Sequence, residues 1–424
     1  MKFINMNKLD NSTFVFLAGQ DITRGVFDSH CINFLNKLYQ NKTCLSNKVI
    51  MTFITNKVLS KEDTEIISRK EDYLKQLSHN YGFKLTIYHI KGKTISQIIK
   101  SYKVMCDILH NEKNIIIWAH NFYNGLIGTL LVKHFNRAYF HLDLKGVPPE
   151  EELYYSHDIW LIRYLKYLIL KLAGRLSIAN SHSISVVSNR FRQYLIKKYN
   201  LSNHKMLVVY PSVYDEKIFH VDVSLREEYR KKFNLKEDDK LIIFSGSMQN
   251  WQLPDNIFRL FKEIQKQNKN KLYKFIILTF QIEETVKYCD NYKLSEVLVT
   301  SAKERDLTGI YNAADIGIIC RKDDLVNNVA SPTKIAEYLA TANSILLTNS
   351  IGDYGYFLQD KDYAIVKHNT EAFVQTKITE LNQLKKPSIE ELNTIGKLYG
   401  SEANIKKYSL LFNEIRLKID SSST

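Results

Sequence analysis

VASPTKIAEYLATANSILL, residues Val329 to Leu347, joins a helix start to a buried strand. A β-like run, Asp315–Cys320, and a polar loop precede it. Pro332 suits the first turn of a helix, where a missing N–H costs nothing. Ser331 is a natural N-cap in front of it. A helix opening there aims free backbone N–H groups and the positive end of its dipole at whatever lies ahead, ideally phosphate. Lys334 adds a point charge. Glu337, about a turn and a half in, can accept from vicinal hydroxyls such as those of a ribose. The same residues also describe an ordinary capped amphipathic helix, with Ile335, Tyr338 and Leu339 turned to the core.

Outward from this stretch, the chain alternates strands and helices. Phe14–Ala18 reads as the first strand, followed by a loop from Gly19 to Gly25 and a helix over Val26–Tyr39. The glycines do not form the GxGxxG pattern, so a dinucleotide fingerprint is absent. Strands follow at Val49–Ile54, Leu85–His89, Ile115–Ala119, Tyr139–Leu142 and Met206–Val209. Between them come helices at Lys61–Tyr81, Ile95–Leu109, Tyr123–Phe135, Ile159–Leu172 and Asn189–Tyr199, with short apolar runs at Leu176–Ala179 and Ile184–Val187. Pro211-Ser212 and the polar segment to Asp239 read as a connection. A second series then begins, with strands at Lys240–Phe244, Phe275–Thr279, Val297–Thr300, Asp315–Cys320 and Ser344–Thr348. Its helices are Pro254–Gln265, Glu283–Asn291 and Leu307–Ala313, and two more close the chain at Ser388–Tyr399 and Asn404–Ile419. Two such series predict an α/β protein of two Rossmann-like domains facing a central cleft. The expected division is 1–212, 213–400 and a C-terminal helix and tail over 401–424 returning to the first domain.

The bulk numbers agree with this size: 424 residues, 45% hydrophobic and 25% charged, with only 15 Gly and 6 Pro. The five cysteines (Cys31, Cys44, Cys106, Cys289 and Cys320) have no ligand spacing and an odd count, which predicts neither a zinc site nor a disulfide framework and favours a reducing compartment. No signal peptide and no spanning segment is visible. The formal net charge of +14 calls for phosphorylated substrates, an anionic membrane face or nucleic acid. Dispersed basic residues without a recognition motif argue against nucleic acid. The Ile159–Leu172 helix, IWLIRYLKYLILKL, carries Arg163, Lys166 and Lys171 beside Trp160, Leu161, Leu165 and Leu168. It reads either as a domain helix or as one whose edge meets an anionic leaflet.

Several residues carry possible chemistry. In Ser245-Gly246-Ser247, glycine lets backbone approach a ligand and the serines offer hydroxyls. Arg321 follows the Asp315–Cys320 strand and could neutralise an anion, while Lys322 suits a solvated loop. Asp323-Asp324 could be a metal-binding acidic pair or plain loop. His120, ending WAHN at 118–121, is either a hydrogen-bonding and charge-balancing group or a strand-end histidine satisfied by backbone. Asp143 and Lys145, ahead of Gly146 and of Glu150-Glu151, either line an acceptor surface or cap a loop.

SPTKIAEYLA with its small-residue turn and buried strand resembles the donor-site signature of family-4-like glycosyltransferases of the two-Rossmann (GT-B) fold. Asp143-Leu144-Lys145-Gly146 with Pro149-Glu150-Glu151 is similar to an element of the branch acting in surface polysaccharide synthesis, and KLIIFSGS to the first turn of the family's donor domain. Glu337 matches the second of the family's paired glutamates, and Val329 stands where the first would fall, a replacement common in that branch. The resemblance implies a retaining, metal-independent transfer from a nucleotide diphosphate sugar, UDP-linked on family frequency, with no further cofactor. Glu337 would hold the ribose and Ser331, Thr333 and Lys334 the phosphates, while Gly246 and Ser247 would contact the diphosphate, with Pro332 also at the donor site. Backbone at Val299 and Thr300 would recognise the base, and Lys334, Arg321 and His120 would serve the reaction. Asp143, Lys145 and Gly146 would face the acceptor, a cell-surface glycan or lipid-linked glycan at the cytoplasmic face of a membrane. A non-catalytic relative that stabilises a partner transferase is the alternative.

Overall fold

The computed structural model describes residues 12–23, 27–43, 46–55, 58–91, 95–201 and 206–421. Gly25, Val26 and Cys44 lie outside them. The chain forms two compact units. The first comprises residues up to Val186, Arg192–Tyr210 and everything from Ile405 onward; the second comprises Val187–Phe191 and Pro211–Asn404.

The first unit holds a seven-stranded sheet in the order β3-β2-β1-β4-β5-β6-β7. Its strands are β1 (Ser12–Asp21), β2 (Lys48–Thr55), β3 (Lys84–Lys91), β4 (Asn114–His120), β5 (Ala138–Leu144), β6 (Ser183–Val186) and β7 (Met206–Val209). Every pairing is parallel. The continuous apolar runs FVFLA and IIIWA are the central strands, fully buried, as expected of a parallel sheet covered on both faces. The loop expected from Gly19 is instead strand as far as Asp21, with a register shift between Leu17 and Asp21. The last helix, Ser401–Ser421, completes this core. Phe412 stacks on Trp118 with centroids 5.6 Å apart, and Tyr408 on Tyr210 at 3.8 Å. A C-terminal helix thus returns to the N-terminal unit.

The second unit holds a six-stranded sheet in the order β10-β9-β8-β11-β12-β13. The strands are β8 (Lys240–Ser245), β9 (Tyr273–Leu278), β10 (Val297–Thr300), β11 (Ile316–Ile319), β12 (Ser344–Thr348) and β13 (Ala364–Lys367), again all parallel. Asp315, buried just before β11, accepts from the Leu241 backbone N–H at 2.9 Å, from Arg226 at 2.6 Å and from Arg230 at 3.2 Å. Both arginines lie on the helix Val223–Lys232, inside the segment expected to be a plain connection. Asp222 starts that helix by accepting the Leu225 N–H at 2.9 Å. Three further differences have local causes. The run at Leu176–Ala179 is the end of one helix, Trp160–Asn180, that continues past Leu172. Pro148-Pro149 opens a helix, Pro148–Tyr155, because proline is compatible with the first turn. The short, half-buried β13 lacks the long apolar run that marks the central strands.

Candidate functional site

In both sheets the strand order reverses between two neighbours, β1 and β4 in the first unit and β8 and β11 in the second. Open parallel sheets bind ligands beyond the carboxyl ends of the strands at such a reversal. Gly246 follows β8, Arg321 follows β11 by way of Cys320, and His120 ends β4.

In the second unit the crossover from β11 to β12 carries the helix Thr333–Ala340. Its cap residue is Pro332 and no side chain caps it. The cap expected of Ser331 is not made: the Ser331 hydroxyl accepts from the Ser212 N–H at 3.1 Å. Just upstream, Val329 is buried and its carbonyl accepts from the Ser188 hydroxyl at 2.8 Å. Gly352 supports this approach with φ of +44°; a Cβ there would lie 1.8 Å from the Ala330 carbonyl oxygen.

Lys334 reaches across to the turn after β8. Its ammonium donates to the Ser245 carbonyl, and a Cβ on Gly246 would come within 2.9 Å of it. Burial, reinforced by the Arg321 charge and opposed by Glu337, pulls the Lys334 ammonium down to about 7. Burial likewise pushes the Glu337 carboxyl up to about 7, against the pull of Lys334 and of the Tyr311 hydroxyl. Tyr338 completes the cluster: its phenol oxygen accepts the Ser245 N–H at 2.9 Å, and its ring meets that of Tyr311 at 4.9 Å. Arg321 is buried, its guanidinium donating to Gln252 Oε1 at 2.6 Å and to the Trp251 carbonyl at 3.2 Å.

The structure therefore gathers Lys334, Glu337, Gly246 and Arg321 around one recess. Tyr311, Tyr338 and Gln252 belong to it too; in the sequence Tyr338 had only a place facing the core, and the other two were unmarked. Tyr338 lay within reach, since it follows Glu337 and falls one helical turn after Lys334. Tyr311 and Gln252 come from distant elements and leave no local signal. Val299 and Thr300 stand on β10, two strands from β8. The Thr300 carbonyl accepts the Thr279 N–H at 2.9 Å, and the next residue, Phe280, is 87% exposed on this rim. The loop is braced behind it, where Gln281 Oε1 accepts the Met248 N–H at 2.8 Å. Ser247 and Thr333 are half-buried beside the recess. Asp324 caps the short helix Leu325–Asn328, and Asp323 accepts from Asn328 at 2.7 Å.

In the first unit, His120, Asp143 and Lys145 form a second cluster. His120 Nε2 lies 2.9 Å from Asp143 Oδ2, and Lys145 Nζ is 3.2 Å from the same oxygen. The other carboxylate oxygen accepts from Ser185 at 2.6 Å. Burial pushes the Asp143 carboxyl up, but Lys145 and the His120 hydrogen bond outweigh it and hold it well below the ordinary value. His120 is only 2% exposed, with Cys31 Sγ 4.0 Å from its Nδ1. Ser185 also contacts His141 Nε2 at 2.9 Å. Gly146 is covered by Glu151, whose carboxylate accepts the Val147 N–H at 3.1 Å. Glu150 pairs with Lys198 at 3.0 Å. Asn121, directly after His120, has φ of +59° and accepts the Tyr123 and Asn124 N–H groups, so a strained residue joins β4 to the next helix.

Among the described residues no three His, Cys, Asp or Glu side chains gather as a metal-binding group. No helix among them is long and apolar enough to cross a membrane.

No protein-family model matches the chain, and no curated protein matches its sequence. Solved structures do resemble it. Sucrose-phosphate synthase from Thermosynechococcus elongatus superposes with a TM-score of 0.67 at 11% identity, over 96% of this chain and 99% of that one. A glycosyltransferase from Rickettsia africae gives 0.63 at 16% identity, over 96% and 99%. Anabaena HepE, solved in complex with UDP-glucose, gives 0.64 at 9% identity, over 95% and 99%. The sheet orders and these near-complete superpositions assign the chain the two-Rossmann, GT-B fold.

Proposed function

We propose that the protein is a retaining glycosyltransferase that moves a sugar from a UDP-linked donor without a divalent cation. The observation that carries this reading is the Lys334–Glu337 pair at the helix start beside the Ser245–Gly246 turn. An unsaturated helix N-terminus and a cation form an anion site at the reversal of a parallel sheet. A diphosphate seated there restores the ammonium of Lys334, and Glu337 accepts from the ribose hydroxyls. Backbone N–H groups at Ser247 and Thr333 add donors, while Gly246, whose own N–H donates to the Leu278 carbonyl at 2.9 Å, lets a phosphate come close, with Ser331 and Pro332 shaping the approach. Val299 and Thr300 face the base, and the exposed Phe280 ring offers it a stacking surface. As the glycosidic bond to the diphosphate breaks, negative charge builds on the leaving oxygen. Lys334, the helix dipole and, more remotely, Arg321 stabilise it.

On the first unit, His120 is the proposed catalytic group, with Asp143 fixing its orientation. Asp143, Lys145 and Gly146 form the acceptor side. The acceptor is a cell-surface glycan or its lipid-linked precursor, reached at the cytoplasmic face of a membrane. Support for the donor class comes from the recess itself and from the UDP-glucose complex of the similarly folded HepE.

A thermal-shift screen across UDP, GDP, dTDP and CMP tests this. UDP is expected to stabilise by mass action, Glu337→Ala to abolish the response and Phe280→Ala to reduce it. Absence of a shift with every nucleotide would sink the donor assignment. A wild-type shift with no UDP release from any UDP-sugar would favour a non-catalytic relative instead.

A further inference from the structure

The helix Trp160–Asn180 of the first unit is built in two halves. Its second half is packed, with Ala173, Gly174, Ser177 and Ile178 buried. A Cβ on Gly174 would meet the Phe122 ring at 2.8 Å, so this end sits tightly on the helix Asn121–His134. The first half is different. Leu161, Ile162, Leu165, Leu168, Ile169 and Leu172 are all exposed, Leu161 and Leu172 each at 58%. On a helical period these six share one broad outward face, opposite Arg163, Leu170 and Gly174. Trp160 and Tyr164 stack at its N-terminal end with ring centroids 5.4 Å apart, and Trp160 is 62% exposed. Soluble surfaces rarely leave a contiguous aliphatic band of this size uncovered.

Charge indicates what covers it. The helix WLIRYLKYLILKLAGRLSIAN contains no acidic residue. Lys166 is bridged to Glu152 at 3.3 Å and to Asp158. The opposite margin carries Lys171 and Arg175, one turn apart, within a chain of net charge +14. Leu161, Leu165, Leu168 and Leu172 have the three-and-four spacing of a coiled-coil seam. Yet Ile162 and Ile169 widen the band beyond such a seam, and the acids beside it, Glu152 and Asp158, are already paired with Lys166 rather than open to a second copy's cations. A wide aliphatic face, an aromatic end and a cationic margin match the water–hydrocarbon boundary of an anionic bilayer. Because the second half is anchored in the unit's core, the helix would lie in the interface plane rather than cross it.

We propose that this half-anchored helix docks the protein on an anionic lipid surface, with Leu161, Leu165, Leu168 and Leu172 entering the acyl boundary and Lys171 and Arg175 meeting headgroups. This gives a physical site to the membrane-side acceptor suggested above, and the contact itself is independent of the donor recess. The test is flotation of the full chain with vesicles of phosphatidylglycerol and phosphatidylcholine, against phosphatidylcholine alone. Binding to the anionic vesicles is expected to be at least about tenfold stronger. The double variant Leu165→Glu/Leu168→Glu should lose it while keeping its far-UV spectrum and melting temperature. Brominated lipid should quench Trp160, and Trp160→Phe should remove that quenching without stopping flotation. Equal flotation of the double variant, or no flotation of the wild type, would overturn the proposal. A solution dimer dissolved by the double variant, with no vesicle binding, would give the face to a second copy and overturn it as well. Vesicle binding without any UDP response would reject the transferase reading and leave the docking face standing; a UDP response without vesicle binding would do the reverse.

Discussion

Lys334 and Glu337 sit in the same recess, and burial shifts both toward neutrality, each to about 7. Below pH 7 the free protein already carries the ammonium that a diphosphate needs. Above it, binding must take up a proton, so affinity for UDP is expected to fall as pH rises from 7, by at most about tenfold per unit. Calorimetric titration at pH 6.5, 7.5 and 8.5 measures this, and Lys334→Arg, which stays charged throughout, should flatten the dependence. A pH-independent affinity in the wild type would contradict the role given to Lys334. The stability of the empty protein follows the same values. Glu337, raised from 4.5, contributes stability that is lost as pH rises toward 7. Lys334, lowered from 10.5, contributes stability that grows as pH rises above 7. Its identity as a cation was legible in SPTKIAEYLA; its altered basicity was not, because that depends on burial by the fold and on the Arg321 charge brought in from another element.

At the scale of elements, the helix Val223–Lys232 fixes the start of β11 through Arg226, Arg230 and Asp315. Asp315→Ala leaves two guanidinium groups facing a buried position and the Leu241 N–H without its acceptor. A loss of about 3–5 kcal/mol is expected, read by denaturant unfolding, whereas Asp362→Ala, at the exposed pair with Lys385, should leave the unfolding midpoint nearly unchanged. The central strands were plain in the sequence because FVFLA, IIIWA and LIIF are apolar on both faces. That helix was obscure because its sequence is polar and its purpose lies in ion pairs to a distant strand. Ser331 shows a similar limit: a serine ahead of proline looks like a cap, and only the fold reveals the Ser212 N–H that claims its hydroxyl. The D-L-K-G run marked Asp143 and Lys145, but not that Asp143 binds His120 from the neighbouring strand.

For the whole molecule, two compact units with separate cores predict separable thermal transitions. The donor recess lies wholly in the second unit. UDP is therefore expected to raise that unit's transition alone, by about 2.7 kcal/mol at a hundredfold excess over the dissociation constant. Scanning calorimetry with and without UDP reads both transitions together, and a shift confined to the other one would misplace the site.

The helix that brings Phe412 and Tyr408 onto Trp118 and Tyr210 has a consequence for biosynthesis. A ribosome delivers the first unit's sheet ahead of the second unit, yet the segment that seals one of its faces follows the second unit in the chain. At roughly 5–20 residues per second, the nascent sheet waits on the order of ten seconds or more with aromatic surface uncovered. The second unit, Val187–Phe191 included, is complete in the polypeptide before that. Vectorial synthesis should thus finish the later-made half first and leave the earlier-made half dependent on chaperone protection until that helix has emerged.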